Sequence, residues 1–138
     1  MEQTLPLAAY DNVEIHKGFF EPAQLSKLYQ ENGILLMPTR HDTHGVSRDE
    51  AMSCGCVPVT NRVGAIPEFV DDTCGIITDP EDVQAMADAV ERLCGDAELF
   101  GCLSKAAAEQ VRRRCGYNQT IAREIDFIRS FTSGKGKE

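Results

Sequence analysis

Ile34-Leu35-Leu36-Met37 is a run of four apolar residues, closed by Pro38 and followed by a polar stretch and then a helical pattern. A strand that is apolar at every position has both faces covered, the habit of parallel sheets packed between helices. Ligands of such sheets sit at the carboxyl ends of the strands, where the next loop runs into a helix amino terminus. The run therefore points to a fold class and also to a place for chemistry, residues 38 to 50.

The flanking segments extend this pattern. After a poorly patterned stretch to Asn12, the alternation Val13-Glu14-Ile15-His16 predicts a half-buried strand, with a turn at Gly18. Glu21-Pro22 opens a helix carrying Leu25, Leu28 and Tyr29 on one face and stopping at Gly33. From about Ser47 to Cys54 a second helix turns Ala51 and Met52 inward and ends at Gly55. Val57-Pro58-Val59-Thr60 predicts a strand whose proline places it at an edge, or turns its missing amide toward a gap in the ladder. Pro67 to Val70 predicts one helical turn, and Gly75-Ile76-Ile77 a further strand.

The rest is helical. Asp79-Pro80-Glu81-Asp82 reads as a capped start, followed by the stripe Val83, Met86, Ala87, Val90 and Leu93 and a stop at Gly95. Asp96 caps a helix with Leu99, Cys102, Leu103 and Ala106 on one stripe, and Asn118 caps another carrying Ile121, Ile125 and Ile128. A flexible tail is expected over residues 131–138, with the core spanning about 12–130. The order of elements gives an α/β fold: a Rossmann-like parallel sheet of about four strands flanked by helices, with further helices at the C-terminus.

Composition removes several functions. With 14 Lys+Arg against 22 Asp+Glu, a net charge of -8 argues against general binding of nucleic acid or anionic lipid. A 42% hydrophobic share argues against disorder, and no apolar run approaches the roughly 20 residues of a membrane span. No secretory signal is visible. The six cysteines include no CxxC pair, and Cys94 and Cys102 fall in helical segments, so reduced cytosolic thiols are expected. A zinc site on His41, His44, Cys54 and Cys56 is disfavoured, because Cys54 is helical and the Cys-x-Cys spacing is tight.

The segment Pro38-Thr39-Arg40-His41-Asp42-Thr43-His44-Gly45-Val46-Ser47-Arg48-Asp49-Glu50-Ala51-Met52 has the features of a polar-ligand site. Gly45 allows close backbone approach, and the amides near Val46, Ser47 and Arg48 open a helix whose positive end suits a phosphate. Asp42 and Glu50, with seven residues between them, would repel a phosphate unless they addressed hydroxyls. A sugar nucleotide satisfies both conditions.

These residues resemble the retaining family 4 ("group 1") glycosyltransferases of GT-B fold. Their motif has the form P-S-R-x-E-G-F-G-x-x-x-x-E-A-M-A-x-G-x-P-V-V, followed by G-G-x-P-E-x-V. Here Pro38-Thr39-Arg40, Asp42, Gly45, Glu50-Ala51-Met52, Gly55, Pro58-Val59 and Gly64-Ala65-Ile66-Pro67-Glu68-Phe69-Val70 correspond in order. Asp42 stands where most relatives have Glu, His44 replaces an aromatic, and Gly64-Ala65 replaces Gly-Gly. The resemblance covers about residues 12 to 130 and implies that the 138-residue chain is part of the C-terminal nucleotide-sugar-binding domain, half of that GT-B domain.

The resemblance also implies roles. Glu50 would bind the ribose hydroxyls and Asp42 the sugar hydroxyls, and these two acids are the catalytic candidates. Gly45, Val46 and Ser47 would offer amides to the diphosphate or sugar; Gly18 and Phe19 would lie near the base; Thr39 and Arg40 would line the same cleft. No metal and no cofactor are implied, the nucleotide-diphosphate sugar being a substrate. Relatives place a diphosphate-binding Arg and Lys on an earlier segment, and take the glycan or lipid-linked acceptor and a catalytic histidine from an N-terminal domain. Neither falls within this chain, so the isolated chain is expected to be inactive, with an open sheet edge favouring self-association. Cytoplasmic location is expected, with the parent peripheral on the inner face of the membrane. Two alternatives are a nucleotide-sugar epimerase of the same fold and a non-catalytic sugar-nucleotide-binding module. Glu68 and the Arg112-Arg113-Arg114 run read as helix-end charges.

Overall fold

In the computed structural model, which describes residues 2–133, three parallel strands form one sheet in the order β1 (Ile34–Met37), β2 (Val57–Asn61), β3 (Ile76–Thr78). Ile34 pairs with Val57 and Met37 with Thr60, while Val59 pairs with Ile76 and Asn61 with Thr78. Helices α1 (Pro22–Glu31), α2 (Val46–Ser53), α3 (Ile66–Phe69), α4 (Val83–Gly95), α5 (Ala97–Cys115) and α6 (Tyr117–Ser133) surround or follow it. The α/β parallel-sheet class is as expected.

The strands change places relative to the sequence reading. β1, expected to be buried on both faces, is an edge of the three-stranded sheet, with Leu36 53% exposed. β2, which carries the proline, is central and buried at every position. The Val57 amide donates to Gly33 O at 2.8 Å, toward β1. Successive residues face opposite neighbours, so position 58 faces β3, and the β2–β3 ladder begins only at Val59. The missing amide thus meets the gap that was the second alternative.

The expected strand at Val13–His16 is absent: the backbone there joins no ladder, and Ile15 is exposed. Alternation marks a strand only when a neighbour takes its hydrogen bonds. Ahead of it, the stretch read as patternless holds a 3-10 helix over Glu2–Ala9.

Two apolar clusters hold the layers together. Val57, Val59, Met86, Ala89, Leu93 and Leu103 form one; Met52, Ile66, Val70, Cys74 and Ala107 form the other. α5 joins both, through Leu103 and Ala107. Each large side chain buried this way contributes on the order of 1.5–3 kcal/mol.

The helix boundaries shift with tertiary context. α4 starts at Val83, its cap being Asp82, whose carboxylate accepts from the Ala85 amide at 2.9 Å, rather than Asp79. Its buried face is Met86, Ala89 and Leu93, leaving Val83 exposed and Ala87 outside the core. Asp96 caps α5 as expected, accepting from the Leu99 amide at 2.9 Å, but Cys102 points to solvent while Ala107 and Ala108 are buried. α6 begins one residue before Asn118, which is therefore not its cap, and its stripe Ile121, Ile125 and Ile128 is exposed. Residues 131–133, expected in the flexible tail, form the last turn of α6, and the rest of that tail lies outside the described residues.

Candidate functional site

The loop leaving β1 is fixed at its base by Asn61, the last residue of β2. The Thr39 amide donates to Asn61 Oδ1 at 3.1 Å, and Asn61 Nδ2 donates to Thr39 O at 2.6 Å. Asn61 is buried, so this pair locks the exits of two adjacent strands together. The Thr39 hydroxyl then donates to His41 O at 2.9 Å, turning the chain toward Asp42.

Asp42 is held by its backbone and by its side chain. Its Oδ1 accepts the His44 amide at 3.0 Å, the Asx arrangement that carboxylates favour in turns. Its carbonyl accepts the Ala65 amide at 3.4 Å, and a Cβ on Gly64, whose φ is +52°, would stand 2.2 Å from that carbonyl oxygen. Only glycine fits there. The Gly64-Ala65-Ile66 segment is thus the floor on which the acidic loop rests.

Gly45 follows, with φ +70°, as the N-terminal flank of α2. It has no side chain to cap the helix, and the first hydrogen bond of α2 runs from the Asp49 amide to Gly45 O at 3.1 Å. The amides of Val46 and Ser47 precede the ladder and lie at the exposed, positive end of the helix dipole, while Arg48 is buried. Val46 and Ser47 are exposed.

Glu50 lies one turn further, exposed, on the side of α2 that faces α1. It lines a cleft of about 160 Å³ with Pro22, Leu25, Ser26, Tyr29 and Cys54. Burial, and next the Glu50 carboxylate, push the Tyr29 phenol up. Arg40 reaches across the carboxyl edge of the sheet, its Nε donating to Glu81 Oε1 at 3.3 Å in the turn before α4.

The structure therefore gathers Thr39, Asp42 and Gly45 in one pinned loop, with Val46 and Ser47 at its mouth. Glu50 opens onto a neighbouring cleft, and Arg40 lies at the rim. Gly18 stands in open space and Phe19 is fully exposed in the segment before α1.

Sequence reasoning missed Asn61 and Arg48. Arg48 is fully buried although it sits on a short helix beside the loop. Its Nε and Nη2 donate to Asp49 Oδ1 at 3.0 and 2.8 Å, Nη2 also donates to His44 O at 2.6 Å, and its guanidinium lies 4.7 Å from the Phe69 ring centroid. Arg114 covers the same ring at 5.3 Å and donates to Glu68 O, so that residue is tied to α3 rather than merely solvated. His44, in the place of an aromatic, packs its ring 5.2 Å from Phe69 and its Nε2 3.6 Å from Asp49 Oδ2. Asp49 also receives the Cys115 thiol at 3.9 Å, and burial followed by the Asp49 charge pushes that thiol up. The available signals were the Arg-Asp adjacency and the aromatic in the Gly-Ala-Ile-Pro-Glu-Phe stretch. Neither reveals depth.

Sequence and structural similarity place the chain among known proteins. The family model described as glycosyl transferases group 1 matches residues 2–96. A D-inositol 3-phosphate glycosyltransferase of Saccharomonospora viridis is 31% identical over 106 residues, covering 76% of this chain and 24% of that protein. A sulfoquinovosyl transferase of Arabidopsis thaliana is 28% identical, covering 72% and 20% respectively. The chain thus spans about a quarter or less of these relatives. Among solved structures, a sucrose-phosphate synthase of Thermosynechococcus elongatus superposes with a TM-score of 0.84 at 19% identity, over 97% of this chain and 34% of that one. The C-terminal domain of a group 1 glycosyl transferase of Francisella tularensis gives 0.68 at 26% identity, covering 81% and 58%. Anabaena HepE in complex with UDP-glucose gives 0.75 at 21% identity, covering 91% and 35%. The sheet and its helices are those of GT-B glycosyltransferases, and the chain belongs to the glycosyl transferases group 1 family.

Proposed function

We propose that this chain is the donor-binding part of the C-terminal domain of a retaining, family 4 enzyme that transfers a hexosyl group from a nucleotide-diphosphate sugar to a glycan or glycolipid acceptor. The observation that carries the reading is the uncapped start of α2 at the carboxyl edge of a parallel sheet, with the pinned Asp42 carboxylate beside it. Free amides at a positive helix end attract a diphosphate, and a carboxylate next to them selects hydroxyls. HepE, of the same fold, is recorded with UDP and with UDP-glucose, which supports a nucleotide sugar as the ligand class.

In this reading the diphosphate lies over the amides of Gly45, Val46 and Ser47, and Asp42 accepts hydrogen bonds from the sugar hydroxyls. Glu50 takes the ribose in its cleft against α1. Gly18 and Phe19 reach the base, and Arg40 closes the rim once it leaves Glu81. Negative charge developing on the departing diphosphate is stabilised by amides already oriented toward it, so the reaction draws on no cofactor. The acceptor site and further cations for the diphosphate are supplied by regions of the parent outside these residues. The chain alone is therefore a binder without turnover, and the parent works at the cytoplasmic face of a membrane.

Calorimetric titration with UDP, GDP, ADP and UDP-glucose tests this. Glu50→Ala is expected to cost on the order of 1–3 kcal/mol of nucleotide binding while leaving the melting temperature near that of the parent chain. An unchanged affinity would remove Glu50 from the ribose site. Measurable sugar transfer by the purified chain would refute the expectation of inactivity.

A further inference from the structure

Arg48 Nη1 is, among the described residues, a buried side-chain nitrogen without a hydrogen-bond partner. The remainder of the guanidinium is fixed on three sides, by Asp49, by His44 O and by the Phe69 ring. Nη1 is thus a charged donor left over and aimed in one direction. A Cβ at Gly45 would stand 2.7 Å from Nη1 and 3.1 Å from Asp42 Oδ2, two atoms that make no hydrogen bond or ion pair with each other. Asp42 Oδ1 is engaged by the His44 amide. The surplus donor and the second carboxylate oxygen therefore both lie beside the same glycine, while Arg48 reaches Asp42 through His44, whose carbonyl accepts from Nη2 and whose amide donates to Oδ1.

We propose that Arg48 is the positioning residue of the acidic loop. Its Nη2 holds His44 O, the His44 amide holds Asp42 Oδ1, and the spare Nη1 places a positive charge beside Gly45, so that Arg48 sets the direction in which the carboxylate meets the sugar. This rests on the donor-site reading above. The arrangement gives Gly45 a second task besides starting α2: with no side chain it leaves the space that the Arg48 guanidinium and the Asp42 carboxylate occupy. It also joins the loop to the core, because Arg48 is held by Asp49 and Phe69, which pack toward α5. Arg48 does not touch the ligand; it acts through Asp42.

Thermal unfolding of the chain with Asp42→Asn, Arg48→Lys and both together tests the coupling. The combined shift in melting temperature is expected to be clearly smaller than the sum of the single shifts, because either change breaks the same Arg48–His44–Asp42 chain. Additive shifts would overturn the coupling. Should Arg48→Lys fail to fold, the Arg48 guanidinium proton resonances can be compared between the parent chain and Asp42→Asn. They are expected to move, and unchanged resonances would overturn the proposal.

Calorimetry with UDP and with UDP-glucose then tests the role. Asp42→Asn and Arg48→Lys should both lose the affinity that glucose adds, about tenfold for a charge-assisted contact, with UDP affinity unchanged. Equal weakening of both ligands by Arg48→Lys would show a merely structural residue and sink the positioning role. Loss of the glucose increment in Asp42→Asn alone would also sink it, while leaving the donor reading intact. Non-additive melting in a parent chain that binds neither ligand would keep the Arg48–Asp42 coupling and overturn the donor reading instead.

Discussion

Asp42 and Glu50 are separated by a single loop and one helical turn, yet the molecule holds them by different means. Asp42 is fixed from below by backbone: Asn61 locks the loop's base, and Gly64 and Ala65 lie directly on the Asp42 carbonyl. Glu50 is an exposed side chain on α2, placed only by the register of that helix. A carboxylate locked by backbone geometry is sensitive to changes in residues that never meet a ligand. One presented on a helix face is sensitive mainly to its own replacement.

The strongest way to break the contrast is Gly64→Ala. The new Cβ would meet backbone rather than a flexible side-chain end, at a residue whose φ is positive, so a loss on the order of 3 kcal/mol of stability is expected. Chemical denaturation measures it, and a loss within the ordinary surface range would show that the floor can move. Asn61→Ala comes next: removing a buried amide that both donates to and accepts from Thr39 should cost about 2 kcal/mol and weaken donor binding along with stability. In Glu50→Ala the expected effects are separated, with affinity falling and stability holding. If Asn61→Ala lowered stability and left affinity untouched, the loop's base would be irrelevant to the site.

The smallest effect belongs to a turn that repeats Asp42's arrangement without its glycine floor. Asp71 Oδ1 accepts the Thr73 amide at 2.9 Å and also the Thr73 hydroxyl. The hydroxyl first, and then the amide, hold the Asp71 carboxyl below its ordinary range. A carboxyl whose folded-state value is lowered adds stability above its unfolded value, and that contribution is lost as pH falls through the folded value. Thr73→Ala should therefore lower the melting temperature near neutral pH and converge with the parent chain as the pH falls below the ordinary carboxyl range. The carboxylate is largely solvated, so only a few tenths of a kcal/mol are at stake. A larger gap at acid pH than at neutral pH would contradict the assignment.

Much of the fold was legible because its signals are local. The apolar run at 34 to 37, the acids that cap α4 and α5, and the breaks at Gly33 and Gly55 all report on a few neighbouring residues. Strand order was not legible. Apolarity marks burial but not which neighbour supplies it, so Ile34–Met37 resembled a central strand and lies at an edge. Pro58 resembled an edge signal and lies in the centre, because β3 starts one residue too late to need its amide. α6 shows the same limit: its apolar stripe is real, but the described residues do not cover it.

At the candidate site the sequence located the loop, its glycine and its acids, since turn chemistry and spacing are written in order along the chain. It did not find Arg48, because a charged residue on a short helix carries no mark of depth. Its burial follows from packing against Phe69 and Asp49, and Phe69 lies 21 positions away.

The glycine floor also has a consequence for mutational tolerance. On the proposed donor reading Val46 and Ser47 contribute only their amides, so a saturation library should accept many side chains at both, including changes of polarity. At position 64 even the smallest added side chain collides with the Asp42 carbonyl, so every substitution there is penalised. A scan along this segment should therefore be flat where a phosphate is expected to sit and steep at Gly64, which never touches it. Inactivating variants of the parent would concentrate at a residue with no functional group.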